Sequence, residues 1–365
     1  MHTHPFHAHE STFHESIDAC FVARCTRIKR HRSSTPALTA PLVHGSPNVR
    51  HPREALRDAE HVTKADDIRL IRTTGLPSAE RRAVERAAKR GELERIRPGV
   101  LVEPGSLDGL YPNERHVVLV RASSSRLRQQ DVLSHESACA VLGLPYVGQW
   151  PAKVHVSDPT TTHTRVTAWF VRHGAGNRPP TGTLDRHGLR STTAARTVVD
   201  IAATRPLLGA LPVLDHALRT VASQPSELQR ETERLEKGHA KAALAIGMGS
   251  ALSESPAESV CRVRFRQVGA PEPEQQHVFS RHGERTAVVD FWFPAQGVVV
   301  EVDGRSKYSD DPGRSTADAH WQEKRREDFI RSFPEVRYVV RLSWADLMDP
   351  DRVRTALVRA GVPCR

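Results

Sequence analysis

The segment "VVDFWFPAQGVVVEVDG", residues 288–304, sets Asp290, Glu301 and Asp303 among valines and aromatics. With a turn at Ala295–Gln296, residues pair across a hairpin so that their numbers sum to 591, and Asp290 faces Glu301. Side chains alternate along a strand, so Glu301 and Asp303 share one face while Val300 and Val302 share the other. Opposed like charges cost roughly 0.2–1 kcal/mol on a sheet. The apolar flanks Val288, Val289, Phe291, Val298 and Val299 predict burial, which raises that cost. A hard cation with oxygen ligands removes it, and Mg2+ (or Mn2+) suits one or two carboxylates plus waters and a phosphate oxygen. Asp290, Glu301 and Asp303 are therefore the expected metal ligands, and the chemistry is phosphodiester hydrolysis. On this reading a metal-free Glu301→Gln variant melts at or above the parent. A solvent-facing edge hairpin would also tolerate the acids, but the apolar flanks argue against one.

These residues need a frame. Ser255-Pro256-Ala257-Glu258 has a cap, a proline at the first helical position and an acid at the third, and predicts a helix running to Gly269. Strands are expected at about 275–281, 286–293 and 297–303, a helix over 316–333, a strand at "VRYVVRLSW" and a last helix near 350–360. The whole is an α/β sandwich. On the 316–333 helix, Trp321, Phe329, Ile330 and Phe333 make the apolar face. Gln322 and Arg326 fall on that face, where either could steady a phosphate, while Lys324 points away.

Residues 254–361 resemble the Vsr-like (very-short-patch-repair-like) endonucleases, a branch of the PD-(D/E)xK fold. The matching pattern is "SPAES", "VVDFWFP", "VVVEVDGRSKY" and "EKRREDFIRS" before "VRYVVRLSWADL". The resemblance implies a restriction-endonuclease-like, Mg2+-dependent core in which Asp290 and Glu301 hold metal and Glu258 is the helix acid. The fold's usual motif is acid-x-Lys, whereas position 303 is Asp here. The lysine that polarises the attacking water must then come from elsewhere, with Lys307 and Lys324 as the candidates.

Upstream, residues 1–53 read as a His-, Ser- and Pro-rich disordered tail that cannot offset its ordering entropy by burial. Its five histidines in "MHTHPFHAHESTFH" could bind metal adventitiously. Residues 54–104 change character. Thr63 with Asp66 resembles a capping box opening the helix "KADDIRLIRTTG". Ser78 caps a second helix, "AERRAVERAAKRG", and a hairpin about Pro98-Gly99 follows. That order is a winged helix-turn-helix. Its second helix carries Arg81, Arg82, Arg86, Lys89 and Arg90 and would read duplex DNA. Residues 105–222 are a mixed α/β middle domain, and 223–253 a helical linker into the 254–365 unit. Ser134 and His135 are a nucleophile and a base by type, but adjacent residues rarely face each other productively. Residues 60–205 resemble AbiEi-type antitoxin and transcriptional-regulator proteins, which implies a winged-helix DNA-binding head.

The formal net charge is +10, with arginine dominating, so a polyanionic partner is plausible. Five scattered cysteines form no CxxC pair, which argues against a zinc site or a disulfide framework and for the cytoplasm. No apolar run nears the ~18 residues of a membrane span, and no small-molecule cofactor motif stands out. Two readings follow. One is a DNA endonuclease acting on duplex DNA with Mg2+. The other is an antitoxin-like regulator with a degenerate nuclease core and a cognate toxin as partner.

Overall fold

The computed structural model describes residues 64–175, 183–186, 188–283, 285–303 and 316–365. The tail, Thr63, Lys307 and the side chain of Asp303 lie outside that description. The chain is mixed α/β, with three sheets of three, six and four strands. Among the described residues, no helix is long and apolar enough to cross a membrane.

The first helix, α1, is only Lys64–Asp67. The sequence predicts a longer one, but the chain leaves it for a short strand, β1 (Ile71–Arg72). Ile71 there pairs with the fully buried Leu101, so tertiary pairing overrides helix propensity. The Arg72 guanidinium reaches Arg121 O at 2.6 Å and Ser124 Oγ at 3.2 Å, tying this strand to the end of a later helix, α3 (Pro112–Ser123). The basic helix α2 spans Ser78–Lys89. Pro77, not Ser78, occupies its N-cap position, and Gly91 at φ +78° follows its end. Strands β2 (Glu94–Arg97) and β3 (Val100–Val102) complete the sheet in the order β1-β3-β2.

The six-stranded sheet comprises β4 (Val132–Leu133), β5 (Val154–Asp158), β6 (Arg165–Val166), β7 (Phe170–Gly174), β8 (Thr183–Arg186) and β9 (Leu189–Thr192). Its order is β6-β7-β5-β4-β9-β8. Helix α4 (His135–Leu142) packs beside it, and α5 (Ala194–Thr204) and α6 (Leu207–Arg219) follow. The segment expected to be a linker folds as α7 (Pro225–Glu233) and α8 (His239–Gly247). Leu228, Ala242 and Ala245 from these helices join a core with Ile201, Leu211 and Val263. Residues 223–253 are therefore packed structure rather than a spacer, because their apolar face has a partner.

The last unit follows the sequence closely. Helix α9 is Pro256–Gln267, and the Ser255 hydroxyl accepts the Glu258 amide at 3.2 Å. Strands β10 (Glu274–Ser280), β11 (Thr286–Phe293) and β12 (Val298–Asp303) form a meander. After α10 (Thr316–Arg331), β13 (Tyr338–Ser343) adds parallel to β12. Two short helices, α11 (Trp344–Leu347) and α12 (Pro350–Arg359), end the chain. Helices cover both faces. Phe291, Phe293 and Val300 pack on Phe265 of α9, and Val289, Trp292 and Val299 pack on Phe329 of α10 and Phe333 just beyond its end. Two expected core residues sit outside it: Trp321 is 66% exposed and Val288 43%.

Candidate carboxylate site and basic helix

The β11–β12 ladder pairs Phe291 with Val300, Trp292 with Val299 and Phe293 with Val298, the expected register. Asp290 and Glu301 are the next positions beyond the last pair. On its other side β11 pairs Gln275 with Phe291 and His277 with Val289, which skips Gln276 opposite Asp290. Gln276 has φ +53°, a left-handed conformation that favours glycine. The strand's facing also switches here: Val289 faces α10, whereas Phe291 faces α9. A local irregularity of this kind re-aims a side chain. Asp290 uses it to accept the Val302 amide at Oδ2, 2.7 Å away.

Glu301 is 8% exposed and is not left as a bare charge. Arg326 on α10 donates Nη2 to Glu301 Oε1 at 2.8 Å and to the Val288 carbonyl at 2.5 Å. The residue expected to steady a phosphate thus also neutralises a proposed metal ligand. The repulsive cluster inferred from the sequence is partly compensated from within the chain, because a helix that the hairpin register could not place brings in a guanidinium.

Glu258 is buried. Its Oε1 accepts from Ser255 Oγ at 2.8 Å, and its Oε2 accepts from the Glu254 amide at 2.9 Å and from Gln276 Nε2 at 3.0 Å. Burial raises its pKa, the Asp290 carboxylate raises it further, and the bonds from Glu254 and Ser255 oppose the rise. Glu258 and Asp290 are therefore electrostatically coupled, while Glu301 is held toward α10. Gln276 is a positioning residue that sequence reasoning missed, since nothing in a strand pattern announces a glutamine at positive φ. Gln322 and Lys324 are exposed on α10. Among the described residues, the set of potential ligands gathered within reach of a single ion lies in the middle domain and not here.

On α2 the side chains of Arg81, Arg82, Arg86, Lys89 and Arg90 are all exposed, and the helix has no buried residue. Arg90 turns back to Glu92, with bonds of 2.6 and 2.9 Å. Arg95 on the following hairpin holds Glu85 at 2.5 Å. These contacts offset Glu85 and Glu92 beside the basic row, and exposed pairs of this type contribute only about 0–1 kcal/mol to stability.

No family model and no curated protein matches the sequence. Among solved structures, the Rv2827c protein from Mycobacterium tuberculosis aligns with a TM-score of 0.34 at 14% identity, covering 62% of this chain and 89% of that one.

Proposed function

We propose that the chain binds double-stranded DNA through α2 and carries a divalent-metal phosphodiesterase centre at the open end of the β11–β12 hairpin. The observation that carries this reading is the placement of Asp290 and Glu301 at adjoining positions beyond the last ladder pair, with Glu258 coupled to Asp290. Their oxygen donors suit a hard cation, and Asp290, Glu301 and Asp303 would hold it. Bound there, Mg2+ or Mn2+ would supply charge for a phosphate oxygen and acidify a water. Arg326 and Gln322 would meet a phosphate, and Lys307 or Lys324 would orient the water. The winged-helix head and the restriction-endonuclease-like sandwich belong to the same proposal, supported by the helix–hairpin order and by a sheet with helices on both faces.

One observation favours a second reading. Arg326 already gives Glu301 a cationic partner, which fits a regulator of the antitoxin kind whose nuclease core has lost its metal. Incubating the purified protein with supercoiled plasmid and Mg2+ or Mn2+, beside Asp290→Ala, separates the two. Nicking that disappears in the variant supports the first. Duplex binding without nicking supports the second. Neither binding nor nicking overturns both.

A further inference from the structure

His135 at the start of α4, His155 on β5 and His173 on β7 converge, with one potential ligand atom from each lying within 4.8 Å of the others. They stand 20 and 18 positions apart, too far for any local ligand motif. The parallel pairing of β5 with β7 brings His155 and His173 together. His155 lies opposite Val171 and Ser157 opposite His173, so the two imidazoles share a face as diagonal neighbours. His155 Nδ1 and His173 Nε2 are 3.1 Å apart. Two nitrogens each about 2.0–2.1 Å from a tetrahedral zinc lie roughly 3.3 Å apart, so this pair already has the bite of a zinc site. His135 stacks on His173 with ring centroids 3.8 Å apart.

The surroundings hold the rings in place. Ser134 Oγ lies 3.0 Å from His135 Nδ1, which leaves Nε2 of that ring for another partner. Ser137 Oγ accepts the His155 amide at 2.8 Å. Glu136 Oε2 lies 3.3 Å from His155 Nδ1 and also accepts from Arg205 Nη2 at 3.0 Å. Because this oxygen approaches the same ring nitrogen that faces His173, it lies within reach of an ion held there, and zinc accepts carboxylate as well as imidazole ligands. Arg205, the nearest fixed positive charge, is neutralised by its two bonds to Glu136. Arg196 is bonded to Asp200 at 2.8 Å. His135 has φ +50°, a left-handed conformation uncommon outside glycine. Strain at one of three converging rings fits a position chosen for its side chain rather than for its backbone.

His155 Nδ1 faces a histidine nitrogen and a carboxylate oxygen at once. One N–H can only be shared between them, at a loss of alignment to each, and two opposed lone pairs repel. A cation between the rings resolves that conflict.

We propose that His135, His155 and His173 form a site for one divalent transition cation of the zinc class, separate from the carboxylate hairpin, with a fourth position open to the Glu136 carboxylate or to water. Imidazole ligands suit zinc, copper, iron and nickel and not Mg2+. The site therefore stands or falls independently of the proposed nuclease centre.

The test uses the full chain with His2, His4, His7, His9 and His14 replaced by Ser, so that tail binding is removed. This protein, dialysed against Zn2+ and then against metal-free buffer, should retain one equivalent and melt higher than its chelated form. With Co2+ it should show the visible bands of a four-coordinate site, and its proton NMR should show paramagnetically shifted imidazole N–H signals from three histidines. Adding His173→Ala should abolish retention and bands, and Glu136→Gln should weaken retention. Failure of the tail-substituted protein to retain metal overturns the proposal, as does full retention by a folded His173→Ala form. Should His173→Ala not fold, the count of shifted imidazole signals decides, and fewer than three overturns the site.

Discussion

Asp215 on α6 and Arg262 on α9 meet at 2.9 Å across what the sequence divides into two domains. The carboxylate is fully buried and also accepts the Ser250 amide at 2.8 Å. Arg262 further reaches the Met248 carbonyl at 2.5 Å. Burial pushes the Asp215 pKa up, and Arg262 is the first influence opposing that rise. The pair pins the last unit to the helical core of the middle one.

Removing one partner of such a pair leaves a buried charge alone, at a cost of about 3–5 kcal/mol. Arg262→Met should lower the unfolding free energy from urea titration by that much, and Asp215→Leu with Arg262→Met should recover most of it. Fluorescence and far-UV dichroism should report one coincident transition for the parent. Two separated transitions would show that the units fold independently.

The Glu301–Arg326 pair reverses one expectation drawn from the sequence. Because Arg326 compensates the carboxylate, metal-free Glu301→Gln should melt below the parent, not at or above it. Arg326→Met should cost about 1–3 kcal/mol, since it strips a charged hydrogen bond from a largely buried acceptor. A double-mutant cycle should give a coupling of about 0.5–3 kcal/mol in the presence of chelator. A coupling of zero would mean that the pair is adventitious.

Replacing Arg82 and Arg86 by Gln should weaken duplex binding and reduce the slope of log K against log salt by about 0.9 per lost phosphate contact. Both side chains are exposed, so the melting temperature should stay within about 1 °C, because surface changes move stability little. An unchanged salt slope would remove α2 from the interface.

His116 should make the fold acid-sensitive. Its pKa is lowered to about 4, burial first and the His155 charge second. The Ser137 hydroxyl lies 2.9 Å from its Nε2. The unfolded ring takes a proton near its ordinary value of 6.5, and the native ring refuses it until about 4. The stabilising contribution is thus fully present above pH 6.5 and is lost as pH falls toward 4, by up to about 1.4 kcal/mol per pH unit. His116→Gln should flatten the fall in urea midpoint between pH 6.5 and pH 4. An equal slope in both proteins would assign the acid lability to other groups.

The last unit was largely legible in the sequence, down to the hairpin register. Ser255 and Pro256 mark a helix start by a mechanism that needs only local bonds, and the turn through Gln296 and Gly297 fixes which residues face each other. What pairwise spacing cannot reveal is the third element. Arg326 reaches Glu301 from a helix beyond the hairpin, and Gln276 adopts a conformation that no strand pattern encodes. The three histidines His135, His155 and His173 were hidden for the same reason, as the β5–β7 pairing joins two of them and the packing of α4 beside the sheet brings the third. The one available signal was a histidine alternating with valines in "KVHVSDP", a polar side chain in a strand whose five residues are all buried.

Helix α2 contributes no side chain to any core. Its outward positions are therefore held by no packing requirement beyond remaining helical, and substitutions there change what the helix touches while leaving the folding equilibrium nearly untouched. The charge and shape of that one surface can therefore change through substitution with little loss of the fold. The short hairpin behind it, with Val100, Leu101 and Val102 all buried, would stay fixed as the mount.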